Sequence, residues 1–61
     1  MQQFSVGDII GYFPFIDTVE PLRHYLIIEV YDAVYLTLQL EKGFTTTWRK
    51  ENAETLCRKV A

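Results

Sequence analysis

From His24 to Leu40 the chain alternates in character. Two runs, His24–Tyr31 and Val34–Leu40, are rich in aliphatic, β-branched and aromatic residues and are separated by Asp32-Ala33. Successive side chains of a strand point to opposite faces. A period of two therefore puts Leu26, Ile28 and Val30 on one side of the first run, with Tyr25, Ile27, Glu29 and Tyr31 on the other. In the second run Val34, Leu36, Leu38 and Leu40 share a face opposite Tyr35, Thr37 and Gln39. The pattern predicts an antiparallel pair that buries its aliphatic face and turns its tyrosines outward.

The flanking segments extend this pair into a sheet. Gly7-Asp8 is a turn signal, because glycine supplies unusual backbone angles and aspartate bonds its own turn. Ile9–Phe13 reads as a first strand, and Gly11 within it marks a bulge or a close backbone approach. The connection from Pro14 to Arg23 contains two prolines, which cannot donate to a β-ladder. Its apolar residues Phe15, Ile16, Val19 and Leu22 alternate with Asp17, Thr18 and Glu20, which predicts a loop folded back over part of the core. Loops of this length are often functional. Glu41-Lys42-Gly43 is a hairpin turn with glycine in the left-handed position. Phe44–Trp48 follows as a strand, with Phe44, Thr46 and Trp48 on one face and Thr45 and Thr47 on the other.

The tail has two parses. Ala53, Leu56, Cys57 and Val60 fall at helical spacing, with Thr47 as a possible cap. Alternatively, a helical turn at Lys50–Thr55 precedes a short strand, Leu56–Val60. Closing an otherwise exposed sheet edge favours the second parse.

Composition narrows the function classes. The 61 residues form one domain, 1–61, and a chain this short is marginally stable unless something staples it. A single cysteine, Cys57, forms no internal disulfide, and one cysteine with one histidine cannot fill a structural zinc site. No metal and no cofactor is expected. The net charge of −2 argues mildly against a dedicated nucleic-acid binder. Charge is nonetheless uneven: positions 1–48 hold two basic and six acidic residues, whereas Arg49, Lys50, Arg58 and Lys59 cluster in the tail. The start, Met1-Gln2-Gln3, has no positive n-region, and no stretch approaches a membrane span of roughly 20 apolar residues. An unpaired thiol fits a reducing cytoplasm.

The Val6-Gly7-Asp8-Ile9-Ile10 start, the long first loop, the three-strand meander, the helical turn and the short last strand resemble small Src-homology-3-type barrels. That class includes KOW-type and Tudor-like modules and many small phage-encoded proteins. His24–Val30, the Leu40-Glu41-Lys42-Gly43 turn and Trp48 are most similar to the phage-encoded ones. The resemblance implies an all-β fold, a five-stranded Src-homology-3-like barrel with one short helical turn near the C-terminus. Proline-peptide-binding members of the class use an aromatic groove beside an acidic loop. Tyr12, Phe13, Asp17 and Glu20 are of that type, but no motif here aligns with the groove residue by residue, so no binding residue is carried over.

His24 and Cys57 are the only nucleophile–base pair available, and Cys-His catalysis needs the two within hydrogen-bond reach. Cys57 reads more simply as a small buried hydrophobe, and the carboxylates fall mostly at turns. The aromatic residues are the better functional signal, because tyrosine joins apolar area to a polar handle and is enriched at interfaces. The expectation is a non-enzymatic protein-interaction module whose partner-binding surface is Tyr25, Ile27, Glu29, Tyr31 and Tyr35. The resemblance adds the possibility of a phage accessory or host-directed protein. Two alternatives stand beside it: a weak nucleic-acid-binding barrel using Arg49, Lys50, Arg58 and Lys59, and a structural homo-oligomer.

Overall fold

The computed structural model describes residues 3–15, 17 and 19–61. The expected roles of Ile16 and Thr18 in the loop, and of Met1-Gln2 at the start, lie outside the described residues. The strands are β1 (Ile9–Tyr12), β2 (Arg23–Val30), β3 (Val34–Gln39), β4 (Thr45–Arg49) and β5 (Cys57–Lys59), with one helix, α1 (Lys50–Leu56), before β5. They form one antiparallel sheet in the order β4-β3-β2-β1-β5. The turn-plus-strand parse of the tail is therefore the observed one. Arg49, not Thr47, occupies the helix N-cap, and it makes no side-chain cap bond.

The two predicted turns form for the predicted reasons. Gly7 and Gly43 have φ of 95° and 76°, a region that disfavours any residue with a Cβ. At the first turn the Ser5 N–H donates to Asp8 Oδ2 at 2.9 Å, and the Asp8 N–H donates back to the Ser5 carbonyl at 3.0 Å. Gly11 serves a close approach: a Cβ there would lie 2.6 Å from Pro21 Cβ. The long loop thus crosses β1 at its proline. Phe15 and Val19, at 68% and 91% exposure, do not cover the core as expected.

The sheet curls strongly. β1 and β4 are three strand spacings apart, about 14 Å in a flat sheet. The Tyr12 and Trp48 rings, one from each strand, nevertheless meet with centroids 5.5 Å apart. Curling stops short of closure: among the described residues no ladder joins β4 to β5, and α1 packs against both.

The facing of the central pair is the reverse of the expectation. Tyr25, Ile27, Tyr35, Thr37 and Gln39 are buried, whereas Leu26, Ile28, Leu36 and Leu38 are only half-buried and Leu40 is exposed. The concave side also takes Ile10, Ala53, Cys57 and Phe4. A register shift between Ile27 and Glu29 explains why β2 does not keep one parity. Tyr25 and Ile27 face inward; Ile28 is the extra residue; Glu29 pairs with Leu36 on the outside, and Val30 with Tyr35 on the inside. Two of the predicted trio are therefore separated: Leu26 points out and Val30 points in.

The physical reason is area. An aromatic side chain buries about 150–250 Å². Register places Tyr25, Tyr35 and Trp48 on one face, where Trp48 also meets Tyr25 edge-on at 5.5 Å. That aromatic set outweighs leucines and isoleucines on the other side.

Gly11→Ala should lower stability by about 1–3 kcal/mol, because the new methyl overlaps a proline ring that cannot swing away. A urea melt checks this, and an unchanged midpoint would mean that Pro21 does not lie over β1.

Candidate interaction surface

The concave side is organised by Tyr35, which is 0% exposed at the middle of β3. Its hydroxyl donates to Glu54 Oε2 on α1 at 2.7 Å and accepts the Phe4 N–H at 3.4 Å. Phe4 packs on the Tyr35 ring at 5.6 Å, and Lys50 Nζ lies 5.6 Å from the centre of that ring. The Gln3 N–H donates to the same Glu54 oxygen at 3.2 Å. Burial, reinforced by the bond to Glu54, pushes the Tyr35 hydroxyl above its ordinary pKa, while that bond holds Glu54 below the ordinary carboxylate value. The interior is otherwise polar in places. Thr37 Oγ1 donates to the Thr46 carbonyl at 3.0 Å, and Gln39 Oε1 is buried with no protein hydrogen-bond partner among the described residues.

The convex side can be reconstructed from register alone. Ile9 pairs with Leu26, Leu26 with Leu38, and Leu38 with Thr45, giving a row across four strands. The next row runs from Glu29 through Leu36 to Thr47. One outward position further on, Val34 pairs with Arg49. Gly11, with Pro21 and Phe13 over it, ends the face on the β1 side, where the Arg58 guanidinium stacks on Phe13 at 4.7 Å. This is a patch of half-buried aliphatic side chains with Glu29 and Arg49 in adjacent rows at one end and His24, opposite Gly11, at the other.

The five residues expected to bind a partner do not form one surface. Tyr25, Ile27 and Tyr35, at 5%, 1% and 0% exposure, are core. Their packing is incompatible with the outward-facing role first assigned to them. Glu29 is on the convex side, and Tyr31 is half-exposed beyond the end of β2, where its N–H donates to the Val34 carbonyl. The convex aliphatic patch was missed. Its signal was the pairing of Trp48 with Tyr35 across the Glu41-Lys42-Gly43 turn, which puts both large aromatics on the same side as Tyr25.

His24 and Cys57 do not meet as a catalytic pair. Gly11 pairs with His24, and its neighbour Tyr12 pairs with Cys57, so the two side chains leave opposite faces of the sheet. His24 is engaged instead by Glu41: its N–H donates to both carboxylate oxygens at 3.0 Å, and Nδ1 lies 2.6 Å from Oε2. These bonds hold Glu41 below the ordinary carboxylate pKa. Burial pushes the Cys57 thiol up to about 11, far from a thiolate nucleophile.

The four basic tail residues are spread out. Arg49 and Lys50 stand at the β4–α1 junction, and Arg58 and Lys59 lie on β5 at the other sheet edge. Lys59 Nζ is 3.5 Å from Asp8 Oδ1. An open depression of about 290 Å³ is lined by Ala33, Arg49, Lys50 and Glu51, a mixed-charge set. Among the described residues no group of three or more His, Cys, Asp or Glu gathers as metal ligands, and no helix is long and apolar enough to cross a membrane.

Comparison with protein-family models, with curated proteins and with solved structures returned no match.

Two outcomes follow from the site. Cys57 should resist a thiol reagent at pH 8 in the folded chain and react once urea unfolds it; stoichiometric reaction without denaturant would show an open thiol. Glu41 and Glu54 are both held below the ordinary carboxylate value when folded, by the bonds from His24 and from Tyr35 respectively. Their contribution to stability is therefore full above that value and lost as pH falls through the folded-state values. In Tyr35→Phe the Glu54 midpoint, followed by carboxyl carbon NMR, should rise toward the ordinary value; an unchanged midpoint would sever Glu54 from Tyr35.

Proposed function

We propose that the protein is a non-enzymatic protein-binding module, a small Src-homology-3-like barrel of the kind found among phage-encoded proteins. Its contact surface is the convex aliphatic side of the sheet. The strand order, the long first loop and the single helical turn before the last strand support the barrel reading. One observation carries the functional reading: the outward residues of β3, with Leu26 beside them on β2, are aliphatic while the inward positions of β3 include threonine and glutamine. A sheet selected only for folding would place those chemistries the other way round. These outward side chains are half-buried in the isolated chain, and contiguous apolar surface left partly open to solvent marks an interaction site. The separation of His24 from Cys57, and the raised thiol pKa, remove the one nucleophilic arrangement the composition offered.

Leu38→Lys tests the reading. The side chain is outward and half-exposed, so the variant should keep its circular dichroism and lose less than about 1 kcal/mol of stability. Tagged wild-type chain should retain a stoichiometric protein partner, either another copy or a different polypeptide, and Leu38→Lys should lose it while Tyr31→Ala keeps it. A variant that unfolds would show Leu38 to be core. Capture that survives Leu38→Lys would move the contact surface elsewhere.

A further inference from the structure

The convex face is nearly self-complementary, and from this we propose that its partner is a second copy of this chain, packed face to face about a two-fold axis running along β3. The inference rests on the reading of the convex side as a contact surface and adds the identity of the occupant.

Three observations select a second copy. The first is charge. Glu29 on β2 and Arg49 on β4 stand one strand to either side of β3, both exposed and both outward-facing. A two-fold axis along β3 lays β2 of one copy over β4 of the other, so Glu29 of each chain faces Arg49 of its partner twice over. Along the strand the two residues are offset by one outward position, about 7 Å. The length of an arginine side chain covers that offset. Among the described residues Arg49 pairs with Glu51 alone, at 4.0 Å with both side chains open to solvent, a contact of little strength. Arg49 is thus available to a partner.

The second observation is the centre of the face. Leu36 on β3 lies between Glu29 and Arg49, with Thr47 beside it, and the neighbouring outward row Ile9–Leu26–Leu38–Thr45 carries no charged side chain. Leucine rows on two copies can interdigitate as the inner faces of a sandwich do, at about 10 Å between sheets. A foreign partner would have to supply the same apolar strip with the opposite order of charge, which the chain itself already presents.

The third observation is size. The molecule measures 30 × 26 × 17 Å, so its whole broad side is about the roughly 800 Å² that each partner gives to a standard interface, and the convex strip is only part of it, which fits a weak pairing. A chain of 61 residues with one cysteine has no disulfide staple, and covering this face supplies a second apolar layer.

The test uses the full chain in sedimentation equilibrium, up to about 0.5 mM, a range that detects affinities of that order and tighter. The wild type should approach twice 7.2 kDa. Glu29→Arg and Arg49→Glu should each weaken association by about tenfold, because each puts like charges in contact twice per dimer. The double swap, Glu29→Arg with Arg49→Glu, should recover the wild-type constant within about threefold, and Leu38→Lys should give a folded monomer. A wild type that stays at 7.2 kDa throughout overturns the two-fold pairing. So does a double swap no better than either single. If that monomer still captures a different polypeptide in a Leu38-dependent way, the contact-surface reading stands and only the identity of the occupant fails. If it captures nothing, both fail.

Discussion

Everything in this fold follows from where the Tyr35 hydroxyl must go. A buried phenol is tolerated only with a hydrogen-bond partner, since an unsatisfied one costs roughly 1–3 kcal/mol. Here the partner is the Glu54 carboxylate on α1, and the backbone of Phe4 closes the other side of the oxygen. One side chain thereby ties the middle of β3 to the N-terminal segment and to the helix. Once Tyr35 points inward, the pleat fixes its neighbours: Thr37 and Gln39 go in, and Leu36 and Leu38 go out. The antiparallel ladders then carry that parity to Trp48 on β4 and, through the β2 bulge, to Ile27 and Tyr25.

The sequence announced its elements better than their orientation. The first four strands were legible, and the helical turn with the last strand was the favoured of two parses, because each rests on local signals: alternation, threonine runs, and the two positive-φ glycines. Orientation is not local. The aliphatic count favoured one face and the aromatic area favoured the other, and a reading by counts chose wrongly for Tyr25, Ile27 and Tyr35. The cue that would have decided it is a register argument across the Glu41-Lys42-Gly43 turn, which pairs Trp48 with Tyr35. The Glu54 contact was not legible, as it joins positions 19 apart through a turn into the helix. Nor was the bulge at Ile28, since no glycine or proline marks it. Of the five residues first taken for a partner site, Glu29 alone ends on the proposed face.

The arrangement has an energetic cost on the inside and a consequence on the outside. Among the described residues Gln39 Oε1 is buried without a protein partner, and Thr37 Oγ1 bonds the Thr46 carbonyl of the neighbouring strand. A core that spends volume on polar atoms leaves aliphatic groups for the convex side. Those groups form contiguous rows, with Glu29 and Arg49 in adjacent rows at one end. The same alternation that buries Tyr35 displays Leu36 and Leu38.

The most direct measurement is solvent accessibility of side chains in dilute, monomeric protein, read as paramagnetic broadening of methyl signals by a soluble, uncharged probe. Methyls of Leu26, Leu36 and Leu38 should broaden strongly, while those of Ile10 and Ile27 stay sharp. Broadening of Ile27 with protection of the leucines would mean that the sheet curls the other way and that the account is wrong at its root.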